Sequence, residues 1–207
     1  MKRLTLVMTI IAIDLIMVMP QISAGELRMK NIYHPKTIQG TYGWTGPVRC
    51  ISTTPDGFDE NGAPLDPSTL STISTTSQGT ITLKHDGTGV VQFTSVTTTD
   101  SPAEQASAGL FEASYDHVYK ISNKGEISIN AVPNTLVQTF LAGPNKGLAI
   151  TIDTWDYTGY ISADHKTMVI ATPEPKVRKL MITIPSGYLT IGNTICHASH
   201  TLVRLSD

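Results

Sequence analysis

Charged side chains are scarce in this chain, at 15% of 207 residues, and they nearly cancel to a formal net charge of -2. With 40% hydrophobic residues beside them, disorder driven by high charge and low hydrophobicity is excluded, and one compact domain is expected. A pI near 6.3 leaves no field to draw phosphate backbones or anionic lipid, so nucleic acid is not an expected partner. Catalytic signatures are missing as well. There is no Gly-x-Ser-x-Gly, and Ser186-Gly187 and Ser107-Ala108-Gly109 lack the strand-turn-helix setting that strains a serine into a nucleophile. Glycine-rich phosphate loops and Asn-x-Ser/Thr sequons are absent too. No helical pattern alternates with the apolar stretches, which disfavours parallel βαβ architecture. What is abundant is threonine, 29 residues together with 16 serines, and a chain so rich in a β-branched polar side chain reads as all-β.

Lys2 and Arg3 precede an apolar run from Leu4 to Met19, then Pro20 and Ile22-Ser23-Ala24 before Gly25. This is the layout of an export signal, residues 1–24, cleaved after Ala24 to leave a single domain over 25–207. A transmembrane anchor is the competing reading. Against it, the run is shorter than the roughly 20 residues of a spanning helix, and Asp14 interrupts it. Export, secreted or periplasmic, places the two cysteines, Cys50 and Cys196, where a disulfide persists, and they are expected to pair. A bridge between the first and last strands suits a closed sheet, whose ends become neighbours. Two buried free thiols are the alternative.

Along the chain, Gln39 to Thr54 alternates as one or two opening strands, and Pro55 to Gln78, rich in proline, acid and Ser/Thr, reads as a long loop. Thr80 to His85 and Val90 to Val96 flank Asp86-Gly87-Thr88-Gly89 as a hairpin. Asp100 to Leu110 reads equally as a short helix or as chain leading into Phe111. Strands are then expected at Phe111 to Ser122, Glu126 to Ala131, Leu136 to Leu141, Leu148 to Trp155, Tyr157 to Ser162, Met168 to Ala171, Lys179 to Ile184 and Thr194 to Leu205. The spacing is that of a meander of about ten strands.

Two short patterns carry a family resemblance. Gly40-Thr41-Tyr42-Gly43-Trp44 is similar to the Gly-x-Trp signature of a first barrel strand, one residue out of register. Asp156-Tyr157-Thr158-Gly159-Tyr160, with Trp155 before it, looks like a Thr-Asp-Tyr-x-x-Tyr signature. Both resemble the lipocalin and wider calycin group of small antiparallel barrels. The resemblance implies that a basic residue of the last strand packs over the first strand's tryptophan, here Arg204 over Trp44, where a guanidinium on an indole face contributes about 0.5 to 2 kcal/mol. The tail from Ile195 to Leu205 also resembles secreted bacterial proteins of unassigned activity.

Few side chains suggest chemistry. His197 and His200, three apart on a strand, point to opposite faces and do not make a metal pair. Asp56, Asp59, Glu60, Asn61 and Asp66 concentrate oxygen ligands in one loop, but Gly57 and Phe58 fill positions a calcium loop needs, so a solvated acidic loop is expected. Asp153 and Asp156 flank Trp155 at a spacing unsuited to paired acid-base work and read as turn caps. Tyr115, His117 and Tyr119 share one strand face and either line a polar pocket or lie on an exposed edge.

The expected fold is therefore all-β, a single antiparallel calycin-like barrel, with a β-sandwich as the structural competitor. The expected function is binding of a small, partly apolar ligand through Tyr115, His117 and Tyr119, with no cofactor, no metal and no stable membrane insertion after signal cleavage. Two alternatives stand beside it: a barrel-type isomerase or cyclase using the same three side chains, and a surface interaction protein using exposed Thr-rich strands.

Overall fold

The structure, a computed structural model, describes residues 33–101, 104–143, 145–184 and 187–206. The expected signal segment, 1–24, lies outside them. Eleven strands form one antiparallel sheet: β1 (Gly40–Thr53), β2 (Leu70–Leu83), β3 (Thr88–Ser101), β4 (Glu104–Ile121), β5 (Glu126–Ala131), β6 (Leu136–Phe140), β7 (Ala149–Ile152), β8 (Asp156–Ile161), β9 (Thr167–Ala171), β10 (Val177–Ile184) and β11 (Gly187–Ser206). The last strand pairs with the first from Thr41↔Ser206 to Thr53↔Asn193, so the sheet closes on itself. Closure removes the sandwich alternative.

The closure is not a simple meander. β1 to β4 and β11 are long and form one continuous wall, but the rest of the circumference is split in two. Toward one end, residues 117–121 of β4 pair with β5, and the ring continues through β8 and β9 to residues 199–203 of β11. Toward the other, residues 111–114 of β4 pair with β6, and the ring continues through β7 and β10 to residues 187–195 of β11. Each ring has eight strands, a number whose interior side chains just fill or leave room for one small ligand.

Two local expectations are corrected. The Ser/Thr tract from Leu70 to Gln78 is strand rather than loop, because β-branched side chains flanked by β1 and β3 find ladder partners on both sides. The possible helix at Asp100 to Leu110 is also strand: β3 runs to Ser101 and β4 starts at Glu104, with long-range pairing prevailing over the alanines' helix propensity. The acidic loop is short and self-contained. Asp59 Oδ1 accepts from the Asn61 and Ala63 amides, and Asp66 caps the 3-10 turn Pro67–Thr69. The β2–β3 turn forms as expected, with Gly87 at φ +84° supplying the left-handed residue.

Interior positions differ between the two rings. In the β5–β8–β9 half they are large: Ile81, Leu83, Tyr119, Ile129, Met168, Ile170 and Leu202 are all buried. A one-turn helix, α1 (Pro35–Ile38), seals this end by burying Ile38, and the Tyr42 hydroxyl donates to the Ile38 carbonyl at 2.9 Å. Arg204 stands on the same seal. Its guanidinium donates to the carbonyls of Gln39 at 2.6 Å and Thr37 at 3.4 Å and lies 5.9 Å from the Tyr42 ring centre. The expected stack of Arg204 on Trp44 is thus corrected: strand register sets Arg204 across from Tyr42 and Leu202 across from Trp44. The end closure remains, with a different aromatic.

Candidate functional site

In the β6–β7–β10 half several inward positions of the long strands are small or polar: Ser52 on β1, Thr75 and Ser77 on β2, Thr97 and Thr99 on β3, and Gly109 on β4. Eight strands hold the wall at a nearly constant radius, so small inward side chains leave space that the opposite half fills. The result is a cavity of about 200 Å³. Its sides are Val48, Ile73, Phe111, Leu136, Phe140, Ile150, Ile152 and Leu180, and its floor is Trp44, Phe93, Tyr115, Trp155 and Tyr157.

Cys50 and Cys196, directly opposed on β1 and β11, are joined by a disulfide with an S–S distance of 2.05 Å, and both line the cavity. The expected pairing is present, across the seam where the sheet closes. Polar groups on the walls are largely used by one another. Ser52 donates to Thr194 at 2.9 Å, Thr75 and Thr97 share a hydrogen bond at 2.8 Å, and Ser77 and Ser95 share one at 2.6 Å.

The floor is an aromatic cluster. Trp44 packs on His200 with ring centres 4.1 Å apart and meets Phe93 edge-on at 5.3 Å. The Tyr157 hydroxyl and His200 Nε2 are 3.1 Å apart. Burial pushes the Tyr157 hydroxyl well above the usual phenol range, and burial, followed by neighbouring Tyr157, does the same to Tyr115. His200 is lowered to about 4 by burial. These groups are therefore uncharged at neutral pH. Trp155 is held from behind by Arg178, whose buried guanidinium lies 5.1 Å from the indole centre and donates to the Lys176 carbonyl at 3.4 Å.

The expected trio is only partly brought to the site. Tyr115, His117 and Tyr119 all face inward and are buried, so the edge-strand alternative fails. Tyr115 lines the cavity, but His117 and Tyr119 lie further along β4 in the filled half, where the Tyr119 hydroxyl donates to the Lys84 carbonyl. His117 is lowered to about 4, chiefly by burial. The cyclase alternative thereby loses the histidine it placed in the cavity. His200 is buried and His197 exposed, the opposite faces expected for them. Asp153 and Asp156 cap strand edges, accepting from the Lys179 amide at 3.2 Å and the Asn130 side chain at 3.3 Å. Sequence reasoning missed Phe93, Phe111, Phe140 and Trp155 as site residues. For Phe93 the signal was present as a large ring at an alternate position of a strand whose neighbouring inward positions, Ser95, Thr97 and Thr99, are small, whereas Trp155 lies between β7 and β8, outside any strand alternation.

No family model and no curated protein matches the chain. Among solved structures it is similar to the outer membrane protein OprG from Pseudomonas aeruginosa, at 10% identity and a TM-score of 0.31, covering 80% of this chain and 94% of that one. An overlap that loose bears on neither function nor location, and lipocalin kinship is not among the findings.

Proposed function

We propose that this protein is an exported barrel that binds one small, largely apolar molecule inside its β6–β7–β10 half. The observation that carries the reading is the contrast between the two halves of one barrel: large side chains fill one, while serine, threonine and glycine leave about 200 Å³ in the other, walled by aliphatic and aromatic groups. An apolar cavity of about 150 Å³ accommodates benzene, so this one suits a ligand of about ten non-hydrogen atoms. The disulfide supports an oxidising compartment, the periplasm or beyond. The outward face is mixed: Thr72, Thr76, Gln78, Gln92 and Thr94 on β2 and β3 are polar, while Val96, Val118, Tyr160, Val169 and Val203 are apolar and exposed.

Native mass spectrometry of the protein exported by its own host tests the reading. A retained molecule of matching size is expected in the native protein and not in Thr97→Phe, which fills the cavity from β3. A folded native protein that retains nothing, and that takes up neither benzene nor naphthalene in solution, overturns it.

A further inference from the structure

The chemistry of the cavity narrows what it accepts. Among the described residues that line it, none carries an ionisable acid, a lysine, an arginine or a histidine. A charged ligand would leave water without a counter-charge, at a cost that no hydrogen bond here offsets. Most wall hydroxyls are engaged in the cross-strand pairs Ser52–Thr194, Thr75–Thr97 and Ser77–Ser95. One donor is different. The Trp44 indole belongs to a ring only 5% exposed that lines the cavity, and its Nε1–H finds no acceptor among the described residues, whereas the Trp155 N–H is directed to the neighbouring Tyr157 hydroxyl. Buried donors left without an acceptor are uncommon in folded proteins, because each forfeits its hydrogen bond to water. Both rings also stand in aromatic walls, Trp44 edge-on to Phe93 at 5.3 Å and Trp155 tilted against Tyr157 at 6.0 Å, a lining that favours flat ligands.

We infer that the ligand is an uncharged, ring-containing molecule bearing a hydrogen-bond acceptor, such as a ketone, ester or lactone oxygen, which accepts a hydrogen bond from the Trp44 indole N–H. This rests on the binding reading above and specifies its substrate class. The lining also offers the Thr99 hydroxyl and the Gln138 and Asn145 amides toward its more open side, but Trp44 carries the buried donor, the one that distinguishes an acceptor held on the floor from a plain hydrocarbon of the same shape, and the uncharged walls discriminate against the corresponding acid.

Three probes of similar size, acetophenone, ethylbenzene and benzoate, separate the possibilities by calorimetric titration against the native protein and against Trp44→Phe and Trp155→Phe. Acetophenone is expected to bind at least tenfold more tightly than benzoate at pH 7. Trp44→Phe is expected to weaken acetophenone about tenfold while changing ethylbenzene less than threefold, so that the hydrocarbon corrects for any change in cavity size, and Trp155→Phe is expected to change the two alike. In the native protein, one indole N–H resonance is expected to move downfield with acetophenone and not with ethylbenzene, a reading that needs no variant to fold. If ethylbenzene and acetophenone bind but both indole resonances respond alike to the two, or benzoate binds as well as acetophenone, the inference fails and the cavity remains a binding site. If none of the three binds, the binding reading itself fails.

Discussion

Acid should unfold this barrel through two histidines before it does so through its carboxylates. His117 and His200 are almost fully buried, 1% and 2% exposed, and burial lowers each from the ordinary 6.5 to about 4. The groups nearest His117 leave it neutral: Asp116 and the Thr82 carbonyl favour its charge, Lys84 opposes it, and burial outweighs them. The unfolded chain therefore binds protons more readily than the folded one, and folding stability rises with pH between about 4 and 6.5. The contribution is fully present above the unfolded value and is lost as pH falls toward the folded one. At 1.36 kcal/mol per pH unit, each histidine contributes about 3 kcal/mol across the whole window, and about 2 kcal/mol is already lost at pH 5. Urea denaturation followed by circular dichroism at half-unit steps from pH 7.5 to 4.5 measures this directly. The native protein should lose about 4 kcal/mol by pH 5, and His117→Leu, which removes one titrating group, about half of that. Asp59, Asp66, Asp86 and Asp164 have carboxyls held below 3.8 mainly by hydrogen bonds, so their stabilisation is lost only at lower pH and does not overlap this window. An unchanged slope between pH 6.5 and 4.5 in His117→Leu would refute the assignment of this acid sensitivity to buried neutral imidazoles.

Three other outcomes are expected. Replacing both cysteines with alanine opens a crosslink spanning 146 residues and should cost about 5 kcal/mol on the chain-entropy model, measured as the urea midpoint with and without reductant; a native protein indifferent to reduction would count against it. Gly159→Ala places a methyl group 1.9 Å from the Val169 carbonyl oxygen, where backbone must move, and should cost about 2 kcal/mol or prevent accumulation, while Gly147→Ala, with open space but φ +84°, should cost less. Arg204→Lys keeps the charge but not the two-carbonyl fork on Gln39 and Thr37, so the α1 end should loosen by about 1 kcal/mol and amide exchange there should quicken; stability equal to the native protein's would show that the fork does not hold the seal.

Much of the architecture follows from local pattern. Threonine and alternating apolar residues define strands, Asp86-Gly87 and Lys124-Gly125 mark their turns, and two distant cysteines behind an expected export signal imply that the ends of the domain meet. That Tyr115, His117 and Tyr119 share one face was legible for the same reason, since a strand's period of two needs no tertiary information, but that this face is the inward one was not. What no local pattern contains is the split of the wall. β4 pairs with β5 near His117 and with β6 near Phe111, and that choice among long-range partners separates a filled half from a half with a cavity. Strand register likewise decides that Arg204 meets Tyr42 rather than Trp44, because sliding one strand of a closed ring would misalign its whole inward face. Sequence by itself therefore determined which residues share a face, by alternation. Only the tertiary structure decided which inward residues touch, because contact across a barrel is set by partner choice and register summed around the ring.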